Sequence, residues 1–370
     1  MISKAFAPER RITPIAPSPD GVLSATIVSW KIIGHEGNFT IHNTFVPMSQ
    51  RWCFYAILFV FTVSCRKDKT IVDFDVFELP VSGKVRCIEA FGDSLVLAGG
   101  DVSGQGFLLV ADATLSHFEV CTSTLKNEVY DVKLFDDRWY IGLDSVDLVT
   151  SKDLRHFQTY WWNQVDWVGD LYKHPLRRIE HVNAELFMVA GGKLAFGVAY
   201  HSSDSGQSWN PAEYDNEIRS LAAFGDVNHY SAWVGGDGIL LKTTKSNPTW
   251  KRIELDNVFA ADINFLNHVE GVLVTYEGDL YKSNDGGENW SRIQKSKKLR
   301  AVNRLLRINE ELIILANTGQ LAYSANNGQT LQWFDLEDVG DLIDGYWSGD
   351  RLILTSSESS IIQLSVSDLR

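Results

Sequence analysis

One short segment of this chain brings together the side chains that could contact a ligand. It reads WWNQVDWVGDLYKHPLRR and spans residues 161–178. Aromatic rings provide large, rigid contact surfaces, and charged groups beside them fix the orientation of a sugar or a protein. We therefore predict a ligand-binding patch made of Trp161, Trp162, Trp167, Tyr172, His174 and Arg177. The alternative is that the tryptophans cap a hydrophobic core while the charged groups stay solvated.

Carboxylates in and after this segment raise a catalytic alternative. Glycoside hydrolysis needs two carboxyl groups ~5 to 9.5 Å apart, one of them with a raised pKa. Asp166, Asp170 and Glu180 are available, but their spacing selects no pair. The chain has no Walker loop, H-E-x-x-H, C-x-x-C pair or G-x-S-x-G motif. The sequence thus favours a non-enzymatic binding protein with no cofactor and no metal, and it leaves catalytic residues unassigned.

Composition narrows the class of fold and of partner. The 370 residues are 45% hydrophobic and 22% charged, which is typical of a globular protein. The chain contains 12 Trp, 12 Tyr and 19 Phe, and aromatic side chains favour β-strands. A net charge of -13 argues against a nucleic-acid partner, because phosphate binding needs clustered Lys and Arg.

The elements that must position the patch are strands of a repeat. SSDSGQSW and SNDGGENW share the pattern S-x-D-x-G-x-x-W, and SANNGQTLQW is a weaker copy. The residues of the two full copies are Ser202, Asp204, Gly206, Trp209, Ser283, Asp285, Gly287 and Trp290. Counting weaker copies, the aromatic positions fall at 118, 157, 209, 250, 290 and 333, a spacing typical of propeller blades. The longest interval, from 157 to 209, indicates an insertion, which we place at 161–178 on the usual ligand face of a propeller.

Both ends of the repeat array indicate a closed ring. The last unit has three strands and ends at Arg370, while residues 72–79 align with a fourth strand, residues 248–255. Joining the two ends removes free strand edges. Inner strands are predicted to begin near Val85, Val129, Ile179, Ile218, Ala260, Val302 and Leu342. The predicted fold is therefore all-β: a seven-bladed β-propeller over residues 71–370, with four-stranded antiparallel blades and an N-terminal strand that completes the last blade.

The repeated motif resembles the Asp box of a propeller group that includes sialidases, other glycan hydrolases, sortilin-like receptors and photosystem II assembly factors. The resemblance covers about residues 70–370 and implies the fold. In such a turn, Asp and Ser bond backbone groups, Gly permits positive φ and Trp packs inward. We therefore interpret the boxes as structural turns, on the face opposite the ligand surface.

The same resemblance bears on function. Sialidases carry an F/Y-R-I-P motif, which the propeller region here lacks, so sialidase activity is not expected. The assembly factors imply a scaffold that binds an immature protein. They are associated with a basic patch, whereas this chain is strongly acidic, so their photosynthetic partner is not expected to carry over. The resulting prediction is a monomeric binding or assembly scaffold for a protein or a glycan, with a glycan-active hydrolase as the alternative.

The N-terminal region resembles a bacterial lipoprotein signal. An apolar run from Cys53 to Val63 is too short to span a bilayer, which needs ~20 residues, but it suits a signal peptide. The ending T-V-S-C resembles a lipobox and predicts lipidation of Cys65, although Thr62 stands where an aliphatic residue is usual. The alternative is that residues 54–63 form a buried strand or helix of a folded extension.

The predicted boundaries follow from this signal. Met48 is the natural start of the signal peptide, so residues 1–47 are predicted to be a non-native or disordered extension. Residues 48–64 are the predicted signal peptide, 65–70 a short linker and 71–370 the propeller. The predicted location is the bacterial cell envelope, at the outer membrane or cell surface, with the lipid on Cys65 as the membrane anchor.

Overall fold

The computed structural model describes residues 72–370, apart from 145–146, 161–173, 193–195, 227, 256–257, 297–298 and 300. The described residues form seven antiparallel sheets of four strands each. The all-β, seven-bladed propeller predicted from the sequence is therefore confirmed. No helix in the described ranges is long and apolar enough to cross a membrane.

The blades are numbered in the chain order of their inner strands, and each is given from the inner to the outer strand. Blade 1 contains β2 (Lys84–Phe91), β3 (Ser94–Gly100), β4 (Gly106–Asp112) and β5 (Phe118–Leu125). Blade 2 contains β6 (Val129–Phe135), β7 (Arg138–Leu143), β8 (Leu148–Ser151) and β9 (Phe157–Tyr160). Blade 3 contains β10 (Leu176–Val182), β11 (Glu185–Gly192), β12 (Phe196–Ser202) and β13 (Asn210–Tyr214). Blade 4 contains β14 (Ile218–Gly225), β15 (Tyr230–Gly236), β16 (Ile239–Thr244) and β17 (Asn247–Arg252).

The remaining blades close the ring. Blade 5 contains β18 (Ala260–Phe265), β19 (Gly271–Thr275), β20 (Leu280–Ser283) and β21 (Ser291–Gln294). Blade 6 contains β22 (Val302–Ile308), β23 (Glu311–Ala316), β24 (Gln320–Ser324) and β25 (Gln332–Asp335). Blade 7 contains β26 (Leu342–Ser348), β27 (Arg351–Ser356), β28 (Ser360–Ser365) and, as its outer strand, β1 (Phe74–Glu78). A short 3-10 helix, Val366–Asp368, follows β28.

The N-terminal strand completes blade 7 as predicted. Phe74 of β1 lies opposite Leu364 of β28, and Glu78 lies opposite Ser360. The C-terminal residue is held to blade 6, because the Arg370 guanidinium donates two hydrogen bonds to Glu311, at 2.9 and 2.8 Å. Both chain ends of the propeller are thus fixed, and blade 7 has all four of its strands.

The hydrophobic core consists of seven clusters, one between each pair of neighbouring blades. Between blades 1 and 2, for example, Val96 and Leu108 pack with Ile141. The second strands contact a neighbouring blade on each face, which explains their continuous apolar sequences such as LFMVA in β11 and LIILA in β23. Each blade is therefore stable only beside its neighbours.

One predicted inner strand begins earlier than expected. Six inner strands begin within one residue of their predicted starts, but β10 begins at Leu176 and not near Ile179. The predicted insertion was therefore too long, because residues 176–178 belong to the strand. Leu176 and Ile179 are three positions apart in the sequence and are both fully buried. A register shift of the strand lies between them, directly after Leu176. That spacing breaks the two-residue alternation of a strand and makes it look like a loop.

The same register shift occurs in all seven inner strands. Each strand leaves one residue unpaired near its beginning, as in a β-bulge, which re-aims that side chain. The unpaired residues are Arg86, Tyr130, Arg177, Arg219, Ala261, Asn303 and Ile343. Each inner strand also contacts the inner strands of both neighbouring blades, so the strands enclose a central channel. The bulged residues therefore form one ring, which surrounds one end of this channel.

Aspartates next to the bulges join neighbouring blades. Asp131 of blade 2 accepts a hydrogen bond from the backbone N–H of Ile179 in blade 3, at 2.7 Å. Asp262 of blade 5 accepts one from Leu305 of blade 6, at 2.8 Å. Burial raises the pKa of Asp131. These aspartates satisfy inner-strand N–H groups that face another blade and not a partner strand.

Arg304 balances two of the buried carboxylates. Its guanidinium lies 3.7 Å from Asp262 and 2.9 Å from Asp344, so it links blades 5, 6 and 7. Burial opposes the charge on Arg304, but Asp344 and Asp262 outweigh burial and raise the pKa of Arg304 above its usual value. Removing one member of such a group leaves a buried charge without compensation.

The Asp-box segments form the turns between the third and fourth strands. In the blade 3 turn, the Ser202 hydroxyl donates to Asp204 at 2.8 Å and accepts the N–H of Gly206 at 2.9 Å. Asp204 accepts the N–H of Ser208 at 2.8 Å, and the Trp209 indole donates to the carbonyl of Gly206 at 3.1 Å. Equivalent bonds join Ser283, Asp285, Gly287, Asn289 and Trp290 in blade 5.

These turns lie at the end of the propeller away from the ring of bulged residues. An inner strand begins at that ring, and successive strands are antiparallel, so a third strand ends at the opposite face. Gly206 and Gly287 have φ of 82° and 83°, a backbone region that favours glycine. The bonding pattern and the backbone conformation give these residues a structural role.

We expect Arg304→Leu to lower the free energy of unfolding by about 3 kcal/mol, because Asp262 and Asp344 lose the cation between them. Arg292→Leu is the matched control, since Arg292 pairs with Asp279 at 3.3 Å and its side chain is 49% exposed. The control should lose less than about 1 kcal/mol. Urea unfolding measures both values, and equal losses would contradict the structural role of Arg304.

The Asp285 turn predicts a pH dependence of stability. Hydrogen bonds from the side chain and backbone of Asn289 lower the pKa of Asp285 to about 2. The ionised carboxylate therefore stabilises the fold above the unfolded pKa, and this contribution is lost as pH falls through about 4 towards 2. Unfolding free energies of wild type and Asp285→Asn should differ most near neutral pH and converge in acid. For Asn326→Ala, which removes the corresponding amide in blade 6, the difference should not change with pH in this way.

Candidate functional site

A cavity of about 90 Å³ opens at the ring of bulged residues, and we call it the channel mouth. All seven blades contribute to its wall, so it lies on the propeller axis. Its lining residues are Arg86, Tyr130, Arg177, Arg178, Arg219, Ala261, Val302, Asn303 and Ile343. A cavity of this size admits several water molecules or a side chain, but not a folded segment.

Two arginines of the mouth share one carboxylate. The Arg177 guanidinium donates to Glu217 at 3.3 Å and to the carbonyl of Gly191 at 2.8 Å. The Arg219 guanidinium donates to the same Glu217 oxygen at 2.8 Å. Burial, followed by the charge of Arg219, lowers the pKa of Arg177 to about 10. Arg177 therefore remains cationic at neutral pH, and because two arginines share one carboxylate, this part of the mouth keeps an excess positive charge.

A third arginine completes the basic cluster. Arg86 donates to both oxygens of Glu128, at 2.8 and 3.2 Å. Burial opposes its charge, but the hydrogen bond to Glu128 contributes to a net rise in the pKa of Arg86. The Arg86 guanidinium lies over the Tyr130 ring at 4.6 Å, and Arg177 lies 6.0 Å from the same ring. Tyr130 is thus an aromatic surface between two cations.

Arg219 also contacts aromatic rings. Its guanidinium lies 5.0 Å from the Phe259 ring and 5.2 Å from the Tyr276 ring. These two rings stack on each other, with centroids 5.2 Å apart. Aromatic contacts restrict the planar guanidinium and cover its faces without using its N–H donors.

The arrangement is suited to binding a carboxylate. An arginine carries five N–H donors in a rigid fork that matches the two oxygens of a carboxylate. Within the described ranges, acceptors contact fewer than half of the donors on Arg86, Arg177 and Arg219. The guanidinium groups are already positioned and partly desolvated, so an entering anion meets donors that need little rearrangement.

The structure places one predicted patch residue, Arg177, in the mouth. His174 is buried, its ring stacks on Phe196 at 5.5 Å, and burial lowers its pKa, so it is a packed residue beside the mouth and not part of the wall. The other patch residues, Trp161, Trp162, Trp167 and Tyr172, lie outside the described residues, as do Cys65, Asp166 and Asp170. Residues 161–173 connect β9 to β10, the strand that carries Arg177.

Sequence reasoning missed Arg86, Tyr130 and Arg219. Each lies at the bulge of its inner strand, as Arg177 does. Each directly follows an apolar residue, in the sequences VRC, VYD and IRS. Aligning the seven inner strands would have revealed two further arginines at the Arg177 position. Glu180, which we considered for hydrolysis, lines a separate channel cavity of about 150 Å³ together with Asp262 and Arg304.

Side chains of the types that bind metal ions are not clustered in the part of the chain that the structure describes. No group of three or more His, Cys, Asp or Glu side chains there is arranged to hold a metal ion. Glu128 and Glu217 form ion pairs with arginines that line the mouth.

We expect Glu217→Gln to destabilise the free protein, because Arg177 and Arg219 would repel each other without the shared carboxylate. The loss should be about 1 kcal/mol at low salt and should shrink as sodium chloride is raised to about 0.5 M. Glu213→Gln, on the exposed outer strand β13, removes the same charge and is the control. Urea unfolding at two salt concentrations tests this, and a salt-independent loss would contradict the electrostatic role.

The fold and the mouth together define the class: a seven-bladed β-propeller with an arginine cluster at one end of its channel. The family of the photosynthesis system II assembly factor YCF48 matches residues 162–339, a little under half of the chain. The photosystem II assembly lipoprotein Ycf48 of Synechococcus sp. (strain CC9902) is 30% identical over 97 residues. That match covers 24% of this chain and 28% of the length of the relative.

Solved structures show the same fold. Ycf48 bound to D1 peptide is similar with a TM-score of 0.59 at 16% identity, over 79% of this chain and 96% of that chain. Ycf48 from Cyanidioschyzon merolae has a TM-score of 0.59 at 12% identity, over 80% and 99% of the two chains. PorZ, a surface component of the type-IX secretion system of Porphyromonas gingivalis, has a TM-score of 0.55 at 10% identity, over 79% of this chain and 38% of that chain.

Proposed function

We propose that this chain is a non-enzymatic binding propeller of the photosystem II assembly-factor type, which holds a segment of a protein partner at its channel mouth. The observation that carries the proposal is the convergence of Arg86, Arg177 and Arg219 from three blades on one cavity. A carboxylate of the partner enters this cavity and accepts hydrogen bonds from the guanidinium groups. The partner chain itself runs across the face of the propeller.

The comparisons support a protein as the class of partner. Ycf48 is a lipoprotein of photosystem II assembly in Synechococcus, and Ycf48 binds a D1 peptide in a solved structure. We transfer the peptide mode of binding and not the identity of D1. The strongly acidic balance of this chain does not conflict with the proposal, because Arg86, Arg177 and Arg219 converge at the mouth.

The aromatic segment 161–173 extends the proposed site. It connects β9 to β10, and the described structure resumes at His174, two residues before β10 begins at Leu176. Tryptophan and tyrosine are frequent in the energetically dominant parts of protein interfaces. We propose that Trp161, Trp162, Trp167 and Tyr172 contact the partner chain outside the mouth, while Arg177 binds its carboxylate.

A glycan-active hydrolase remains the alternative with less support. Such an enzyme needs two carboxyl groups on either side of the scissile bond. At the mouth, Glu128 and Glu217 are held by arginines within hydrogen-bond distance, so they serve the basic cluster. A screen of glycosidase substrates with the purified propeller tests this alternative, and turnover would contradict the proposed function.

Binding of acidic peptides is the test of the proposal. Unstructured ten-residue peptides that contain aspartates should bind, and the same peptides with asparagine should not. The double variant Arg177→Gln/Arg219→Gln should weaken binding by about 30-fold or more, since it removes desolvated partners of the carboxylate. Fluorescence anisotropy gives the dissociation constants.

The control for this experiment has the same change in net charge. Arg155→Gln/Arg292→Gln removes two arginines whose side chains are 53% and 49% exposed, away from the mouth. It should leave peptide affinity within about twofold at physiological salt, because distant exposed charges are screened. Equal weakening by both double variants would indicate non-specific attraction and would overturn the proposed site.

We further propose that the propeller is membrane-anchored through a lipid on Cys65. The lipobox-like ending T-V-S-C supports this, and so does the lipoprotein nature of the Synechococcus relative. Cys65→Ser should move the protein from the membrane to the soluble fraction of a bacterial host, measured by fractionation and immunoblotting. Ser64→Ala is the control, because it keeps a small residue before the cysteine. Unchanged membrane association of Cys65→Ser would contradict the lipid anchor.

A further inference from the structure

Two of the bulged arginines pair with a glutamate that the next blade supplies. Arg86 of blade 1 donates to both oxygens of Glu128 in blade 2. Arg177 of blade 3 donates to Glu217 in blade 4. Each glutamate stands directly before the inner strand of its own blade, two positions ahead of the bulged residue of that strand. This backbone position is therefore one from which a blade can neutralise the bulged arginine of the blade before it.

The third bulged arginine, Arg219 of blade 4, receives no such carboxylate. The equivalent position of blade 5 is Phe259, which stands directly before β18 and two positions ahead of the bulged Ala261. The Phe259 ring lies 5.0 Å from the Arg219 guanidinium. An aromatic ring attracts a cation through its quadrupole but carries no formal charge. Among the described residues, Arg219 pairs only with Glu217, which it shares with Arg177.

Hydrogen bonding separates Arg86 from Arg219 in the same way. Arg86 uses Nε and one terminal nitrogen on the two oxygens of Glu128, the bidentate geometry of a complete ion pair. Arg219 donates only through Nε, to Glu217, so neither of its terminal nitrogens contacts an acceptor among the described residues. Its side chain is 28% exposed and lines the cavity. These terminal donors are therefore available to an entering carboxylate.

The remaining arginine of the wall, Arg178, acts on a carboxylate inside the channel. Burial raises the pKa of Asp131, and the charges of Lys133 and Arg178 oppose that rise. The charge of Arg178 is thus already opposed by a buried aspartate. The uncompensated positive charge of the mouth consequently lies at Arg177 and Arg219, which have one glutamate between them.

We propose that Arg219 is the principal carboxylate-binding residue of the mouth, and that Phe259 gives it this role by standing where two other blades supply a glutamate. This inference rests on the proposed function and assigns unequal parts to its arginines. Arg86 is neutralised by Glu128 and covers the Tyr130 ring, whereas Arg219 retains both charge and donors for the ligand. The carboxylate of the partner completes the charge balance that one shared glutamate leaves incomplete.

A carboxylate introduced at position 259 tests the role of Phe259. Phe259→Glu places an acid relative to Arg219 as Glu128 is placed relative to Arg86. It should bind an aspartate-containing ten-residue peptide about tenfold or more weakly than Phe259→Gln does, because the internal carboxylate competes with that of the peptide. Phe259→Gln is the matched control, since it removes the same ring and adds a side chain of the same shape without charge. Fluorescence anisotropy with the full chain gives both affinities.

Two further variants test the unequal parts and keep the inference testable if Phe259→Glu does not fold. Arg219→Gln should weaken binding of the same peptide by about tenfold or more. The double variant Arg86→Gln/Glu128→Gln removes a balanced ion pair from the same ring of residues. It should leave peptide affinity within about threefold of wild type, because it does not change the net charge of the mouth.

The possible results separate this inference from the function on which it rests. Equal affinities of Phe259→Glu and Phe259→Gln, with binding by wild type, would overturn the role of Phe259. A loss in the Arg86 and Glu128 double variant as large as that in Arg219→Gln would overturn the unequal parts of the arginines. The proposed function would stand in both cases, since the peptide still binds the unchanged protein. Failure of the peptide to bind wild type would contradict the proposed function and this inference with it.

Discussion

One β-bulge, repeated at the same level in all seven inner strands, is the constraint on which the candidate site depends. In a regular strand each of these residues would pair with a residue of the adjacent strand. The bulge instead leaves one residue unpaired and re-aims its side chain. Because the blades form a closed ring, seven such residues surround one end of the channel. The backbone is common to all blades, and the identity of the bulged residue alone decides whether a blade contributes a cation, an aromatic ring or an apolar group.

The charged side chains in the channel and at its mouth are stable because groups of opposite charge lie beside them. Arg304 lies between Asp262 and Asp344, and at the mouth Arg177 and Arg219 share Glu217. The two groups differ in their ratio of arginines to carboxylates. Two carboxylates face one arginine inside the channel, whereas two arginines face one carboxylate at the mouth. The mouth therefore retains positive charge that an entering carboxylate can neutralise, although a buried ion pair is favourable only when its geometry offsets desolvation.

The architecture could be predicted from the sequence because blades repeat. The spacing of the box aromatics and the alignment of residues 72–79 with a fourth strand led to the blade number and the closing strand, both confirmed. The site could be predicted only in part, through Arg177. A bulge interrupts the alternation of a strand, so Arg177 was assigned to a loop. Net charge describes the whole molecule, so the acidic balance of the chain gave no sign of the three arginines that converge at one point.

The central claim, that a partner binds at the mouth, is tested most directly by site-specific photo-cross-linking. Phe259, whose ring contacts Arg219 at the mouth, can be replaced by the photoreactive aromatic benzoylphenylalanine, and Phe118, at the opposite face, is the matched control position. With an aspartate-containing peptide as the probe, the account predicts strong cross-linking from position 259 and only background from position 118. Equal cross-linking from both positions, or stronger cross-linking from position 118, would contradict it.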